Sequence, residues 1–189
     1  MDAFERLLTR EGVQGLGVNA LVREAQVGKD LIYRYFGGLA GVAEAWARKT
    51  EVLPSAEELI GHDIESFQES EPVERLRIIF RNYVRGIKKR RAALTVLAVD
   101  LLARSDLTQA LENIHQKDRA EITKFFSEEG RQTGMDMEVV GGLLVGGINY
   151  LAMRSNVVKD PYNIPLDSDE GWDKVEETVL RLIDLAWEG

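Results

Sequence analysis

Lys29, Asp30, Leu31, Tyr33, Arg34 and Tyr35 fall within one short stretch and supply the groups with which a protein meets a DNA duplex. A lysine ammonium and two phenolic hydroxyls suit phosphate oxygens, contacts that position a protein without reading sequence. An arginine can pair with guanine O6 and N7, an aspartate can accept from the cytosine amino group, and an apolar side chain can meet the thymine methyl. On that chemistry Lys29, Tyr33 and Tyr35 would fix register, while Arg34, Asp30 and Leu31 would read base edges. The alternative for each is a solvent-facing or packing role, and Tyr33 also suits a half-buried position.

Such groups need a rigid element beneath them. Val18, Leu21, Val22 and Ala25 fall at i, i+3, i+4 and i+7, one apolar stripe on a helix of about residues 18–25. Val27, Ile32 and Phe36 continue the buried side into a second helix of about 29–35, which leaves the polar groups outward. Two helices joined by so short a turn make a helix-turn-helix, whose second helix enters the major groove. Phe4, Leu7 and Leu8 mark the inner face of a preceding helix, about 3–10. Gly37-Gly38 breaks the chain before a helix of about 39–52, with Val42, Ala45, Trp46 and Lys49 at helical spacing, and Pro54 ends it. Trp46 is placed to plug the base of this three-helix head. The helix that carries it would join head to body and transmit any ligand-driven motion.

At these residues the sequence resembles the TetR/AcrR family of bacterial transcriptional regulators. The resemblance is carried by Gly12, by Leu21-Val22 followed by Ala25 and Val27, and above all by Ile32-Tyr33-Arg34-Tyr35-Phe36, and it covers about residues 3–47. It implies an all-α protein with a helix-turn-helix DNA-binding domain over 1–50 and a helical ligand-binding and dimerisation domain over 51–189. It further implies a homodimer on a palindromic double-stranded DNA operator, with recognition helices roughly 34–36 Å apart. Beyond residue 50 the likeness is one of architecture. Gln26 stands where the family usually has Gly, at a cost of about 1 kcal/mol if its backbone is left-handed. Gly28 replaces the usual Ser and is a weaker N-cap. Leu31 replaces a small or polar residue, and Leu39 a frequent Lys. The family also tends to carry a basic N-terminal extension, whereas here the first helix starts at once. These departures keep a second reading open: a helical ligand- or partner-binding protein whose head no longer binds DNA, with Leu31 marking a protein contact.

The charge of the whole chain, −8, hides an asymmetry. Residues 1–50 hold seven basic and six acidic side chains, and the remainder 17 and 26. An acidic body would repel DNA and leave the near-neutral head to approach it. No cysteine is available for a disulfide or a thiolate metal site, and no charged-then-apolar leader is visible, so the expectation is a cytoplasmic protein. Two histidines without HExxH spacing, and Gly-Gly pairs without a following Lys-Ser/Thr, offer no catalytic centre, metal site or phosphate loop. No enzyme and no cofactor is expected.

In the body, a short acidic helix of about 55–69 is followed by a strong one from Pro72. There Leu76, Ile79, Phe80, Tyr83, Val84 and Ile87 form a broad core stripe. Lys88-Lys89-Arg90-Arg91 at its end is either a second DNA contact or a solvated run that complements the helix dipole. Residues 92–103 are apolar nearly all round, so Asp100 within them needs a partner: Arg104, a helix-end cation or a ligand group. Ser105-Asp106 would cap a helix to about Glu129, with His115 and Asp118 near its inner face. Tyr83, Asp100, Phe126 and Tyr150 are the candidate walls of a cavity for a small, mainly apolar effector. Val139 to Met153, interrupted by four glycines and Asn149, falls short of the roughly 20 residues that cross a bilayer. Gly142 and Gly146 stack on one face of that helix and invite close helix approach, within the chain or against a second subunit. With Val179 and Ile183 of a final helix, about 171–188, they are the candidate dimer interface. The connection 155–170, with Pro161 and Pro165, is expected to be mobile or functional.

Overall fold

A computed structural model describes residues 1–12, 15–50, 52–91, 94 and 136–188. Among them the protein is all-α, and no helix is long and apolar enough to cross a membrane. The expected helices of 92–103 and 106–129, with Asp100, His115, Asp118 and Phe126, lie outside the described residues. The chain divides into two compact units, described over Met1–Val52 for the first and over Leu53–Leu94 and 136–188 for the second.

In the first unit α1 (Asp2–Glu11) packs on α2 (Val18–Ala25) and α4 (Leu39–Thr50), and α3 (Lys29–Phe36) packs on α2 and α4. Phe4 and Leu7 from α1, Leu21 from α2, Ile32 from α3, and Val42 and Trp46 from α4 close its core. Trp46 is buried as expected, its ring 5.5 Å from that of Phe4. Two residues depart from the apolar pattern. Val27 and Phe36, expected inside, are each 38% exposed. Val27 belongs to the turn, and Phe36 is the last helical residue, 40° round the helix from Ile32 at 100° per residue. Ile32 alone anchors α3 from its buried side.

The second unit is built on α7 (Pro72–Arg90), which starts with proline at its first turn, where a missing N–H costs nothing. All six residues of its predicted stripe are buried. The single acidic helix expected over 55–69 is two, α5 (Ala56–Ile60) and α6 (Ile64–Glu69). Gly61, at φ 89°, stops the first; Asp63 starts the second by accepting from the Ser66 amide at 3.0 Å. Ser55 caps α5 in the same way, accepting from the Glu58 amide.

The helices α8 (Met137–Ser155) and α9 (Asp169–Glu188) both pack on α7 and on each other. Ion pairs fasten the long helices: Arg77 donates to Asp184 at 2.7 Å, and Arg85 grips Glu176 bidentately at 2.9 Å. The connection between α8 and α9 is anchored, not slack. Leu166 is fully buried, and its carbonyl accepts from the Trp172 indole at 3.0 Å and from Arg91 at 2.9 Å. Within it a 3-10 turn, Pro161–Asn163, holds Tyr162 and Asn163 at positive φ.

Candidate nucleic-acid interface

The turn between α2 and α3 is made by Gln26 in the left-handed region, φ 55° and ψ 40°, its amide still donating to the Val22 carbonyl. Glycine would adopt that conformation freely, whereas a side chain there strains the turn. The N-cap of α3 is Gly28, which gives no side-chain hydrogen bond. Gly37 closes the other end at φ 72°, donating to the Tyr33 carbonyl at 3.0 Å.

With Ile32 turned inward, helical geometry places Asp30 and Arg34 at the centre of the opposite face, one turn apart. Lys29 and Tyr33 flank them on one side, Leu31 and Tyr35 on the other. All six sequence candidates are exposed, Tyr35 by 68% and Leu31 by 38%. Lys29 lies 5.9 Å from the centre of the Tyr33 ring, and the Arg34 guanidinium lies 5.6 Å from that of Tyr35. Each cation therefore rests on an aromatic face and not on a carboxylate.

The other cations of this unit divide sharply. Arg6 and Arg10 reach across from α1 to Glu24 on α2 at 2.9 and 2.8 Å. Arg48 pairs with Glu44 and Lys49 with Asp2. Hydrogen bonds from Arg10 and then Arg6 hold the Glu24 carboxyl below its ordinary range. Arg23, Lys29 and Arg34 carry no ion pair among the described residues. All three belong to the two helices of the helix-turn-helix. Arg23 is the residue the sequence reading missed. Its signal was an absence: Asn19, Ala20, Gln26 and Val27, its neighbours at i±3 and i±4, include no carboxylate to occupy it.

Residues 1–45 match the family described as bacterial regulatory proteins, tetR family. Those residues carry the sequence pattern of that family's N-terminal region. Solved structures share the fold along nearly the whole chain. A transcriptional regulator from Rhodococcus sp. Rha1 is 17% identical, covering 100% of this chain and 94% of its own, with a TM-score of 0.63. The TetR family regulator PfmR from Thermus thermophilus is 17% identical over 97% and 94%, with a TM-score of 0.54. The fatty acid degradation regulator FadR from Bacillus halodurans is 15% identical over 95% and 91%, with a TM-score of 0.61. No curated protein matches the chain. The shared fold thus extends past the head.

The candidates in the second unit fare unevenly. Tyr83 is buried and its hydroxyl donates to Asn149 at 2.8 Å, a bond between α7 and α8. Tyr150 is half exposed, its ring 6.3 Å from that of Tyr162. Neither lines the apolar groove of about 340 Å³ between α8 and α9, whose walls include Leu144, Ile148, Leu151, Ile164 and Leu182. Gly142 and Gly146 are exposed, and a Cβ at either would meet open space, so close packing among the described residues does not explain them. Beside them Val139 and Leu143 are exposed, Leu143 by 71%. Val179 and Ile183 require correction as interface residues, because both are buried in their own unit. On α9 the exposed apolar side chains are Leu182 and Leu185. The Lys88–Arg91 run is mostly spent on internal partners. Lys88 pairs with Asp169, Arg90 with Glu58 and Arg91 with the Leu166 carbonyl, which leaves Lys89 exposed.

Proposed function

We infer that the protein is a ligand-responsive transcriptional regulator, a repressor, that binds a palindromic DNA operator as a homodimer. The observation that carries this reading is the selective release of cations. Four of the head's seven basic side chains are neutralised within the unit, and the three left over all face out from the helix-turn-helix. Positive charge kept unpaired on that one motif is what counterion release from a phosphate backbone requires. Lys29 with Tyr33 and Tyr35 would hold phosphates, joined by Arg23; Arg34, Asp30 and Leu31 would face base edges.

Homodimerisation is supported by the open glycine face of α8, continuous in chemistry with the exposed leucines of α9. Self-pairing of that face would bury apolar surface that is otherwise in water. Tyr83 and Tyr150 remain candidates for contact with a small, mainly apolar effector. Such a ligand regulates only by binding the DNA-ready and DNA-unready states with different affinity.

The test is selection of bound duplexes from a random pool at low and at physiological salt. Recovery of a palindrome supports the reading. Sequence-blind binding, or none, would favour the alternative of a ligand- or partner-binding protein with a degenerate head.

A further inference from the structure

The unexplained feature of the recognition helix is that Asp30 and Arg34 do not pair. An aspartate four residues before an arginine on an exposed helical face is placed to form an ion pair. Yet Asp30 has no ion-pair partner among the described residues, and Arg34 lies over Tyr35. The cause is local. The Asp30 carboxylate is swung back toward the helix start, where a Cβ on residue 28 would overlap its Oδ1. The space it occupies exists because residue 28 is glycine. That position also sets the carboxylate near the positive end of the helix dipole, which favours it there.

We propose that Gly28 is a specificity-determining positioning residue: by admitting the Asp30 carboxylate over the helix start, it keeps Asp30 and Arg34 apart and both free to read bases. The inference rests on the DNA-binding reading above and extends it. Any side chain at 28 displaces the carboxylate. From its remaining rotamers Asp30 meets Arg34, and the two groups then satisfy each other. An arginine already held by a carboxylate has fewer donors to offer guanine O6 and N7, and the aspartate loses its capacity to accept from cytosine. The half-site this geometry suits carries a guanine and a cytosine under successive turns of α3.

The experiment compares the full chain with Gly28→Ala and Gly28→Ser, each alone and with Asp30→Ala, on the duplex the wild type selects and on versions changed one base pair at a time. Alanine is a poor N-cap and serine a good one, so cap strength drives the two variants apart while displacement of Asp30 drives them together. Both single variants are expected to lose about fivefold or more of the discrimination at the guanine position, and neither should alter it once Asp30 is alanine. A second readout needs no DNA. In the free protein Asp30→Ala should leave the Arg34 Nε–Hε resonance in place, and in the Gly28→Ala background it should move it. Opposite effects of alanine and serine, or effects that survive Asp30→Ala, overturn the proposal. So does an Arg34 resonance equally indifferent to Asp30 in both backgrounds. A wild type that selects no duplex, with the Arg34 resonance behaving as expected, overturns the regulator reading and the claim on specificity, leaving only the side-chain geometry.

Discussion

The unpaired cations set what each residue of the head should do. Lys29→Ala is expected to lower the slope of log affinity against log salt by about one per binding site, and Arg23→Ala to do the same with no change in base preference. Titration at several salt concentrations checks both; an unchanged slope removes that residue from the phosphate contacts. Gln26 makes the opposite kind of prediction. Glycine there should raise stability by up to about 1 kcal/mol, since the left-handed turn would no longer carry a side chain. Denaturant unfolding measures it. Glu24 adds a pH dependence. Its carboxyl is held low in the folded state by Arg10 and Arg6, so its stabilising effect is present above the unfolded pKa. It is lost as pH falls through the depressed folded value. Glu24→Gln should therefore flatten the acid limb of the stability curve below about pH 4.5, as followed by unfolding across a pH series. The outward face of α3 was legible from the period of 3.6 residues, because Ile32 fixes the rotation of the helix. The freedom of Arg34 was not legible, because it depends on a rotamer of Asp30 that only the missing Cβ of Gly28 allows.

Helices were legible where pattern and length agreed. The bounds of α2 and α7 follow directly from apolar spacing and from Pro72. The break at Gly61 was missed because an acidic stretch carries little periodicity, although Gly61 and the cap Asp63 were both in view. Assignment of faces went wrong on α9 for a different reason. A single chain's periodicity gives one apolar stripe, and Val179 and Ile183 turn that stripe toward the chain's own core. The surface offered outward is the weaker stripe of Leu182 and Leu185. On α8 the prediction is sharper. Gly146→Leu replaces a poor helix former by a good one, worth up to about 1 kcal/mol to the isolated helix, while its bulk blocks close approach of a second helix. Sedimentation should then find a monomer. A persistent dimer would move the interface off this face.

At the scale of the molecule, charge is allotted by unit. The head balances most of its cations and leaves three unmatched on one motif. The second unit uses its basic run to clamp α5, α9 and the α8–α9 connection. Net charge by domain was readable from the sequence; which cations are spoken for was not, since Glu24 meets Arg6 and Arg10 only after α1 and α2 pack. High salt should accordingly weaken duplex binding well before it affects folding, because the three exposed cations are screened while the apolar core is not. Monitoring helicity and DNA binding across one salt series separates the two. Coincident loss of both would mean that the ion pairs, and not the core, hold the head together.

The four glycines of α8 have a further consequence, one of abundance. Relative to alanine they cost this helix up to about 4 kcal/mol of intrinsic stability, and three of them, Gly142, Gly146 and Gly147, have no neighbour among the described residues to compensate. If the missing compensation comes from an identical chain, folding obeys mass action. Melting temperature would climb with protein concentration, and a cell holding only a few copies would keep them partly open to proteolysis. The helix would then act as a census, withholding the folded state until enough copies are present to share it.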